Sequence, residues 1–192
     1  MSRTLRLGDW IVPDYQRCME LAQPFVQALE RSEDCFYGMV LNGKYLYAVL
    51  SKSGLREWSN YVKWSVEGAF EFIRRTEFPS CCSRLCCNYF YDNLSDCRRL
   101  YEYDWGSASA EEQSQVRLFE FELDGAKSQR RDMNLFDEAY SAMEERQDVQ
   151  TVLACARRYF AGGRTENPVW EILSAENAKA AADISSVLRD TL

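Results

Sequence analysis

The sequence predicts an α+β fold, and three observations support this prediction. Stretches with helical spacing of apolar residues alternate along the chain with short runs that are typical of strands. These elements do not follow the strict strand–helix–strand order of a parallel sheet. The chain has no internal repeat, and its 192 residues, 46% of them hydrophobic, suit one folded unit. We therefore expect a single α+β domain over residues 1–192.

Four longer segments have the apolar periodicity of amphipathic helices. In the first, Leu21 and Phe25 belong to a series at helical spacing, although Pro24 must kink or divide the helix. The second ends before Pro79, and the last ends at Gly162-Gly163. The four helices are expected at 15–31, 61–76, 132–145 and 148–160, with a shorter one at 95–101.

Strand-like runs separate these helices. Residues 1–15 look extended, with a turn at Gly8-Asp9, and residues 116–123 alternate so that Phe119 and Phe121 share one face. Two further strands are expected where apolar and aromatic residues cluster, at 83–91 and 169–173.

Three segments have weaker patterns. Residues 35–50 fit either two short strands or a loosely folded insertion around the turn-forming pair Asn42-Gly43. Residues 106–115 are small and polar, which indicates an exposed loop. Ser174 can cap a final helix that runs to about residue 188.

The charge of the chain argues against a general nucleic-acid binder. The net charge is −7, from 30 acidic and 23 basic side chains, so the molecule as a whole repels a phosphate backbone. The first ten residues lack the apolar run of a signal peptide, and no stretch approaches the roughly 20 apolar residues that span a bilayer. We expect a cytoplasmic protein without a membrane segment, or one delivered into a host cell by a specialised secretion route.

The chain contains no histidine. This excludes the Ser/His and Cys/His nucleophile pairs, the imidazole general base, and every metal site that combines His with Cys. Any catalytic chemistry must therefore depend on carboxylates, hydroxyls, thiols or arginines.

Eight cysteines raise three alternatives, and four of them lie within residues 81–87. Cys82 and Cys86 could form half of a thiolate zinc site, but no second pair at such spacing exists. Disulfides need an oxidising compartment, to which nothing in the sequence points. The remaining alternative is packing, since free cysteine is among the most buried residue types. We prefer packing and expect no metal site.

Four phrases of the sequence together resemble an uncharacterised bacterial family of the ADP-ribosyltransferase-like superfamily. They are LRLGDWIVP at 5–13, EFIRRTEFPSCCSRLCC at 71–87, RLFEFELDG with RRDMNLFD within 117–137, and ARRYFAGG leading to PVWEIL within 156–173. The resemblance implies two small packed sheets with flanking helices, and a cleft between the sheets that takes NAD as a substrate.

The resemblance also implies roles for individual residues. Ser83 resembles the serine of the second family motif, and Glu171 resembles the acid of the third. A carboxylate at that place would stabilise the positive charge that develops on the ribose as nicotinamide leaves. Arg84 would pair with the pyrophosphate, and Tyr89 or Tyr91 would stack on nicotinamide. Further aromatic candidates for stacking are Tyr101 and Tyr103.

The first family motif departs from the pattern, because relatives carry a histidine there. Arg3 or Arg6 is the candidate replacement. The function implied is therefore an NAD-dependent mono-ADP-ribosyltransferase with an unknown acceptor. The alternative is a catalytically inactive binding protein on the same fold, an effector or inhibitor that engages a protein partner. The enzyme requires Ser83 and Glu171 to meet at one cleft.

Overall fold

The computed structural model describes residues 4–13, 15–42, 58–123 and 127–188. Within these ranges the fold is α+β, as the sequence predicts, with seven α-helices and two three-stranded sheets. The helices are α1 (Tyr15–Arg31), α2 (Glu33–Asn42), α3 (Trp58–Glu77), α4 (Leu94–Trp105), α5 (Ala110–Gln115), α6 (Asn134–Glu144) and α7 (Val149–Phe160). The strands are β1 (Trp10–Ile11), β2 (Asn88–Tyr91), β3 (Phe119–Glu122), β4 (Ser128–Asp132), β5 (Trp170–Ser174) and β6 (Ala178–Asp183).

Both sheets are antiparallel and small. One has the strand order β1-β6-β3, and the other has the order β2-β5-β4. In each sheet the central strand, β6 or β5, lies later in the sequence than both of its neighbours. Two short 3-10 helices flank this framework, at Arg84–Cys86 and Ser185–Leu188.

Helix α3 is the centre of the core, because α1, α6 and α7 all pack against it. Its apolar face, which includes Val66, Phe70 and Ile73, is fully buried. The α1–α3 crossing is close at Gly68, where an added Cβ would lie 2.5 Å from the Cβ of Phe25. Only glycine permits this approach of the two helices without a shift of one backbone.

The predicted helices at 15–31 and 61–76 are confirmed, as are those at 132–145 and 148–160 within a few residues. Pro24 lies inside α1, which continues through it, so the helix is not divided. Gly162 follows α7 with φ of +78°, the left-handed conformation expected at a helix end. The predicted turn at Gly8-Asp9 is also present, with the Asp9 amide donating to the Arg6 carbonyl at 3.0 Å.

Four predictions of secondary structure were wrong in whole or in part. Residues 35–42 belong to α2 rather than to strands or an insertion, while 43–50 lie outside the described residues. Residues 110–115 are helical, because Ser109 and Glu112 form a reciprocal capping box. The strand at 83–91 begins only at Asn88.

The fourth error concerns the C-terminal segment, which pairs as a strand instead of forming a helix. Lys179 of β6 lies opposite Trp10 of β1, and Ala180 lies opposite Phe121 of β3. Ala178 and Ala180 are buried while Lys179 is exposed, so the segment has the two-residue alternation of a half-buried strand. Pairing on both edges outweighs the helical propensity of its alanines.

Among the described residues no helix is long and apolar enough to cross a bilayer.

Candidate functional site

A buried arginine, Arg84, is the centre of a polar cluster in the interior. It is 7% exposed and forms ion pairs with Glu67 of α3 and Glu171 of β5. Arg84 Nε lies 3.3 Å from Glu67 Oε2, and its Nη1 donates to Glu171 Oε1 and, at 2.8 Å, to the hydroxyl of Tyr159. The Tyr159 hydroxyl in turn donates to Glu171 Oε1 at 2.6 Å.

Aromatic rings enclose this cluster. The Arg84 guanidinium lies 4.1 Å from the ring centre of Phe136 and 5.1 Å and 5.2 Å from those of Tyr89 and Tyr159. These distances are in the range of cation–π attraction, which strengthens when water is excluded. The aromatic rings and the two carboxylates together replace the water that would otherwise surround the Arg84 guanidinium.

The pKa values respond to this burial. Burial by itself would lower the pKa of Arg84, but the charges of Glu171 and Glu67 raise it well above its ordinary value. Burial raises the pKa of Tyr159 well above its usual range, against the opposing effect of Arg84. Tyr159 therefore remains a neutral phenol that can donate its proton to the Glu171 carboxylate.

Ser83 belongs to a second group of charges one helical turn away. Its hydroxyl donates to Glu71 Oε2 at 2.7 Å, and Glu71 also accepts from Arg74 at 2.9 Å and from Arg75 at 2.8 Å. Burial by itself would raise the pKa of Glu71, but the hydrogen bonds from Arg74, Ser83 and Arg75 lower it below its ordinary value. The Ser83 hydroxyl is thus held toward α3.

The two groups form one polar layer because of how α3 and the 3-10 turn are built. Glu67 and Glu71 are four residues apart on α3 and therefore lie on the same helix face. Ser83 and Arg84 are consecutive residues at the start of the turn, and each binds one of these glutamates. The Ser83 hydroxyl binds Glu71, and the side chain of the next residue, Arg84, binds Glu171, 87 residues later in the sequence.

The register of the β2-β5-β4 sheet determines which side Glu171 faces. Glu171 lies directly opposite Tyr91 on β2 and Arg131 on β4, so these three side chains share one face. Contact with Tyr159 of α7 identifies this as the face covered by helices. Ile172 and Phe90 lie opposite each other on the other face.

A cleft of about 690 Å³ lies between the two sheets. This volume is in the range of small-molecule and cofactor sites. Strands β2, β3 and β5 and the N-terminal segment contribute to its lining, which includes Tyr89, Tyr91 and the cation Arg117. The rings of Phe90 and Phe121, 5.1 Å apart, join the two sheets at this place. Ile172 lines the cleft, whereas Glu171 beside it faces the helices.

The remaining candidates from the sequence lie at different places. Tyr89 is 42% exposed, and its hydroxyl donates to the Arg84 carbonyl. Tyr91 is half-buried, and its hydroxyl contacts the sulfur of Met133 at 3.3 Å. Arg6 is exposed in the turn before β1, and Arg3 lies outside the described residues. The structure therefore brings Arg84, Tyr89 and Glu171 into one cluster, places Ser83 at the neighbouring Glu71, and leaves Arg6 apart. Ser83 and Glu171 are not among the residues that line the cleft.

Sequence reasoning missed Glu67, Glu71 and Tyr159, which are buried members of the network. One pattern could have identified the glutamates. They stand on the otherwise apolar face of a predicted helix, and a buried carboxylate requires a partner. In the sequence Tyr159 resembles an ordinary core aromatic, and nothing indicates that its hydroxyl is hydrogen-bonded to Arg84 and Glu171.

The cysteines do not form a metal site in the part of the chain that the structure describes, where no group of three or more His, Cys, Asp or Glu is arranged to hold an ion. Cys87 is buried, and Cys81, Cys82 and Cys86 are half-buried against the apolar core.

The chain matches the model of a known protein family. The family model described as "Protein of unknown function (DUF2441)" matches residues 27–186, which include α2 to β6, the polar network and most of the cleft. Searches of the curated proteins and of the solved structures gave no match. Because the family model covers most of the sequence, the chain belongs to the DUF2441 family.

Proposed function

We propose that the chain is an NAD-dependent mono-ADP-ribosyltransferase that takes the dinucleotide at the cleft between its two sheets. The observation that carries the proposal is the ion pair between Arg84 and Glu171. It joins the two sequence regions whose resemblance suggested this activity, and the ring of Tyr89 lies against the same arginine.

The dimensions and lining of the cleft support dinucleotide binding. Its volume of about 690 Å³ suits a ligand of this size. Phe90 and Phe121 also line the cleft, and their rings offer apolar surface to a nicotinamide or adenine, whereas Tyr89 and Tyr91, the stacking residues that the resemblance implies, share the strand face of Glu171. Since Arg84 is committed to carboxylates inside the protein, we assign the pyrophosphate contact to Arg117, a cation of the cleft lining.

Glu171 is the acid of the proposed reaction. Cleavage of the bond between nicotinamide and ribose leaves positive charge on the ribose, and a nearby carboxylate stabilises that charge. Glu171 is 3% exposed and faces the helices, so the proposed reaction requires NAD binding to uncover its carboxylate. Arg84 has a second carboxylate partner in Glu67, which would keep its charge paired when Glu171 is released.

The test is transfer of label from NAD to acceptors in a cell lysate. Wild-type protein is compared with Glu171→Gln, and Glu67→Gln is the matched control because both glutamates are buried partners of the same arginine. The proposal expects label transfer by wild type and most of the activity retained in Glu67→Gln. Glu171→Gln should lose activity by about a hundredfold or more, the loss that follows removal of one group that stabilises charge in the transition state. Equal losses in the two variants would indicate that Glu171 acts only through the fold.

A second candidate function is binding of a protein partner on the same fold without catalysis. The closed position of Glu171, which is already satisfied by Arg84 and Tyr159, favours it. So do the exposed apolar side chains Leu7, Trp10 and Val12 beside β1, each more than 60% accessible. Titration calorimetry separates the candidates, because the enzyme must bind NAD and the partner-binding protein need not.

A further inference from the structure

The cleft between the two sheets is lined largely by apolar side chains that the fold leaves half-buried. Ile11 and Phe121 come from one sheet, and Phe90 and Ile172 come from the other. All four are half-buried, so part of their apolar surface faces the cleft instead of packed protein. Contact of apolar surface with water is unfavourable, and an apolar ligand relieves it. The cleft therefore favours a ligand with an apolar body.

The shape of the cleft is elongated. Its lining follows β3 and the residues beside it, from Arg117 at one end to Leu123 at the other. Six residue steps along an extended strand correspond to about 20 Å. Over that length, a volume of about 690 Å³ forms a slot that is roughly 6 Å across. A slot of these proportions suits an extended alkyl chain.

Arg117 supplies a positive charge at one end of this slot. It is half-buried, and its Nη1 donates to the Ser114 carbonyl at 2.8 Å. Among the residues that the structure describes, no carboxylate forms an ion pair with it. Of the acids in the lining, Asp92 pairs with Arg130 at 2.6 Å, and Glu120 is exposed. A negative group at this end of the slot would therefore pair with Arg117.

We propose that the cleft binds a fatty acid, with the alkyl chain along β3 and the carboxylate at Arg117. The apolar walls match the chain, and the guanidinium matches a single negative charge. The net charge of the protein is −7, so the molecule as a whole repels an anion. A cation at the site is thus what allows a negatively charged ligand to bind there.

The wall beside Arg117 is already formed in the absence of ligand. The Ile184 amide donates to the Leu118 carbonyl at 2.9 Å, and Arg98 Nε donates to the Val187 carbonyl at 2.8 Å. Ile184 and Val187 both line the cleft. These hydrogen bonds hold the C-terminal 3-10 turn against β3 and α4. The carboxylate end of the slot therefore needs no ordering of a loop, which lowers the free-energy cost of binding.

The proposal does not rest on the transferase activity proposed above. Both ligands are assigned to the same cleft and to Arg117, so a fatty acid would exclude NAD and act as an inhibitor of label transfer. Fatty-acid binding is measured without NAD, and label transfer is measured without fatty acid. The failure of either proposal is therefore distinguishable from the failure of the other.

Titration calorimetry on the full chain at neutral pH tests the class of ligand. Dodecanoate should bind roughly tenfold more tightly than decanoate, because two more methylene groups leave water. Decanol, which has the same chain length as decanoate without its charge, should bind roughly tenfold more weakly than decanoate, because it lacks the charged hydrogen bond to Arg117. The proposal is overturned if dodecanoate does not bind, or if the two acids bind equally.

A pair of arginine variants tests the position of the carboxylate. Arg117→Gln should weaken dodecanoate binding roughly tenfold and leave decanol binding unchanged. Arg99→Gln is the matched control, because this arginine of α4 is exposed, pairs with Asp96 and is not among the residues that line the cleft. It should bind dodecanoate as wild type does. Equal weakening in the two variants would refute the placement at Arg117.

Photo-crosslinking locates the alkyl chain on the wild-type protein and does not depend on the folding of a variant. Dodecanoate with a diazirine at the end of its chain is bound and irradiated, and the protein is then digested with trypsin. The label should lie on peptides 85–98 and 118–127, which contain β2 and β3, and an excess of unmodified dodecanoate should prevent labelling. Label on other peptides, or label that the excess does not prevent, overturns the proposal.

Discussion

Arg84 offers the sharpest test of how the interior is held together. Replacing it with methionine keeps much of the side-chain volume but leaves Glu67 and Glu171, both buried, without their cation. Breaking a buried ion pair by removing one partner costs about 3 to 5 kcal/mol, because a charge stays behind in a poor solvent. Tyr159 still donates to Glu171 and does not neutralise it. We therefore expect Arg84→Met to lower the free energy of unfolding by roughly 3 to 5 kcal/mol.

Urea unfolding at neutral pH measures this loss as a shift of the midpoint, about 1.5 to 2.5 M for a slope near 2 kcal/mol per M. Arg74→Met is the matched control. Its side chain pairs with Glu71, which keeps Arg75 as a second partner, so a loss of only about 1 kcal/mol is expected. Glu171→Gln alone should be mild as well, since Arg84 retains Glu67.

The double variant Arg84→Met with Glu171→Gln completes a thermodynamic cycle. Removing both charges leaves one unpaired carboxylate instead of two, so the double variant should be more stable than the sum of the single losses predicts. The reasoning is refuted if Arg84→Met costs no more than Arg74→Met, or if the losses in the cycle simply add.

Three further predictions concern other parts of the fold. Gly68→Ala should lower the free energy of unfolding, measured in urea, by about 1 to 3 kcal/mol, because the new Cβ would meet Phe25. Gly38→Ala in α2, where nothing lies within 4 Å of an added Cβ, should be neutral or stabilising, and equal effects of the two would contradict the close α1–α3 contact. Asp132→Asn should lower the free energy of unfolding by about 2 to 4 kcal/mol, because the buried carboxylate accepts four hydrogen bonds, two of them from Thr165, and an amide nitrogen cannot accept. A thermal midpoint equal to that of wild type would count against this. Glu71→Gln should be less stable than wild type at pH 7, and the free energies of unfolding of the two proteins should converge as the pH falls below about 4. The reason is that a carboxyl whose pKa is lowered in the folded state contributes stability above its unfolded pKa and loses it as the pH falls through the folded pKa. A constant difference from pH 7 to pH 3 would exclude this role.

The parts of the fold that were predictable from sequence are those in which one element carries its own pattern. Helices α1, α3, α6 and α7 each have a continuous apolar face and a recognisable end, such as Gly162 after α7. Strands β3 and β5 were predictable because aromatic and branched residues cluster in them. Strand β4, with the sequence SQRRD, gives no such indication and was missed. It is a strand because it pairs with β5 along its whole length.

The candidate site divides in the same way. The resemblance implied that Ser83, Arg84, Tyr89 and Glu171 belong to one site; the structure groups Arg84, Tyr89 and Glu171 and places Ser83 at the neighbouring Glu71. The sequence could not indicate that Arg84 would be neutralised by Glu171, because ion pairs between residues 87 apart depend on which strands become neighbours. Nor could it predict that Glu171 faces the helices while Ile172 lines the cleft, since a shift of one residue in register reverses the two.

What the sequence determined by itself was local: the four long amphipathic helices and their ends, and that a chain without histidine must use carboxylates, hydroxyls, thiols or arginines for any chemistry. The tertiary structure decided the partners. It paired β6 into a sheet against its helical propensity, and it enclosed Arg84 between two carboxylates and four aromatic rings. The physical reason is that hydrogen bonds along a helix connect near neighbours, whereas strand pairing and buried charge pairing connect residues that are distant in the chain.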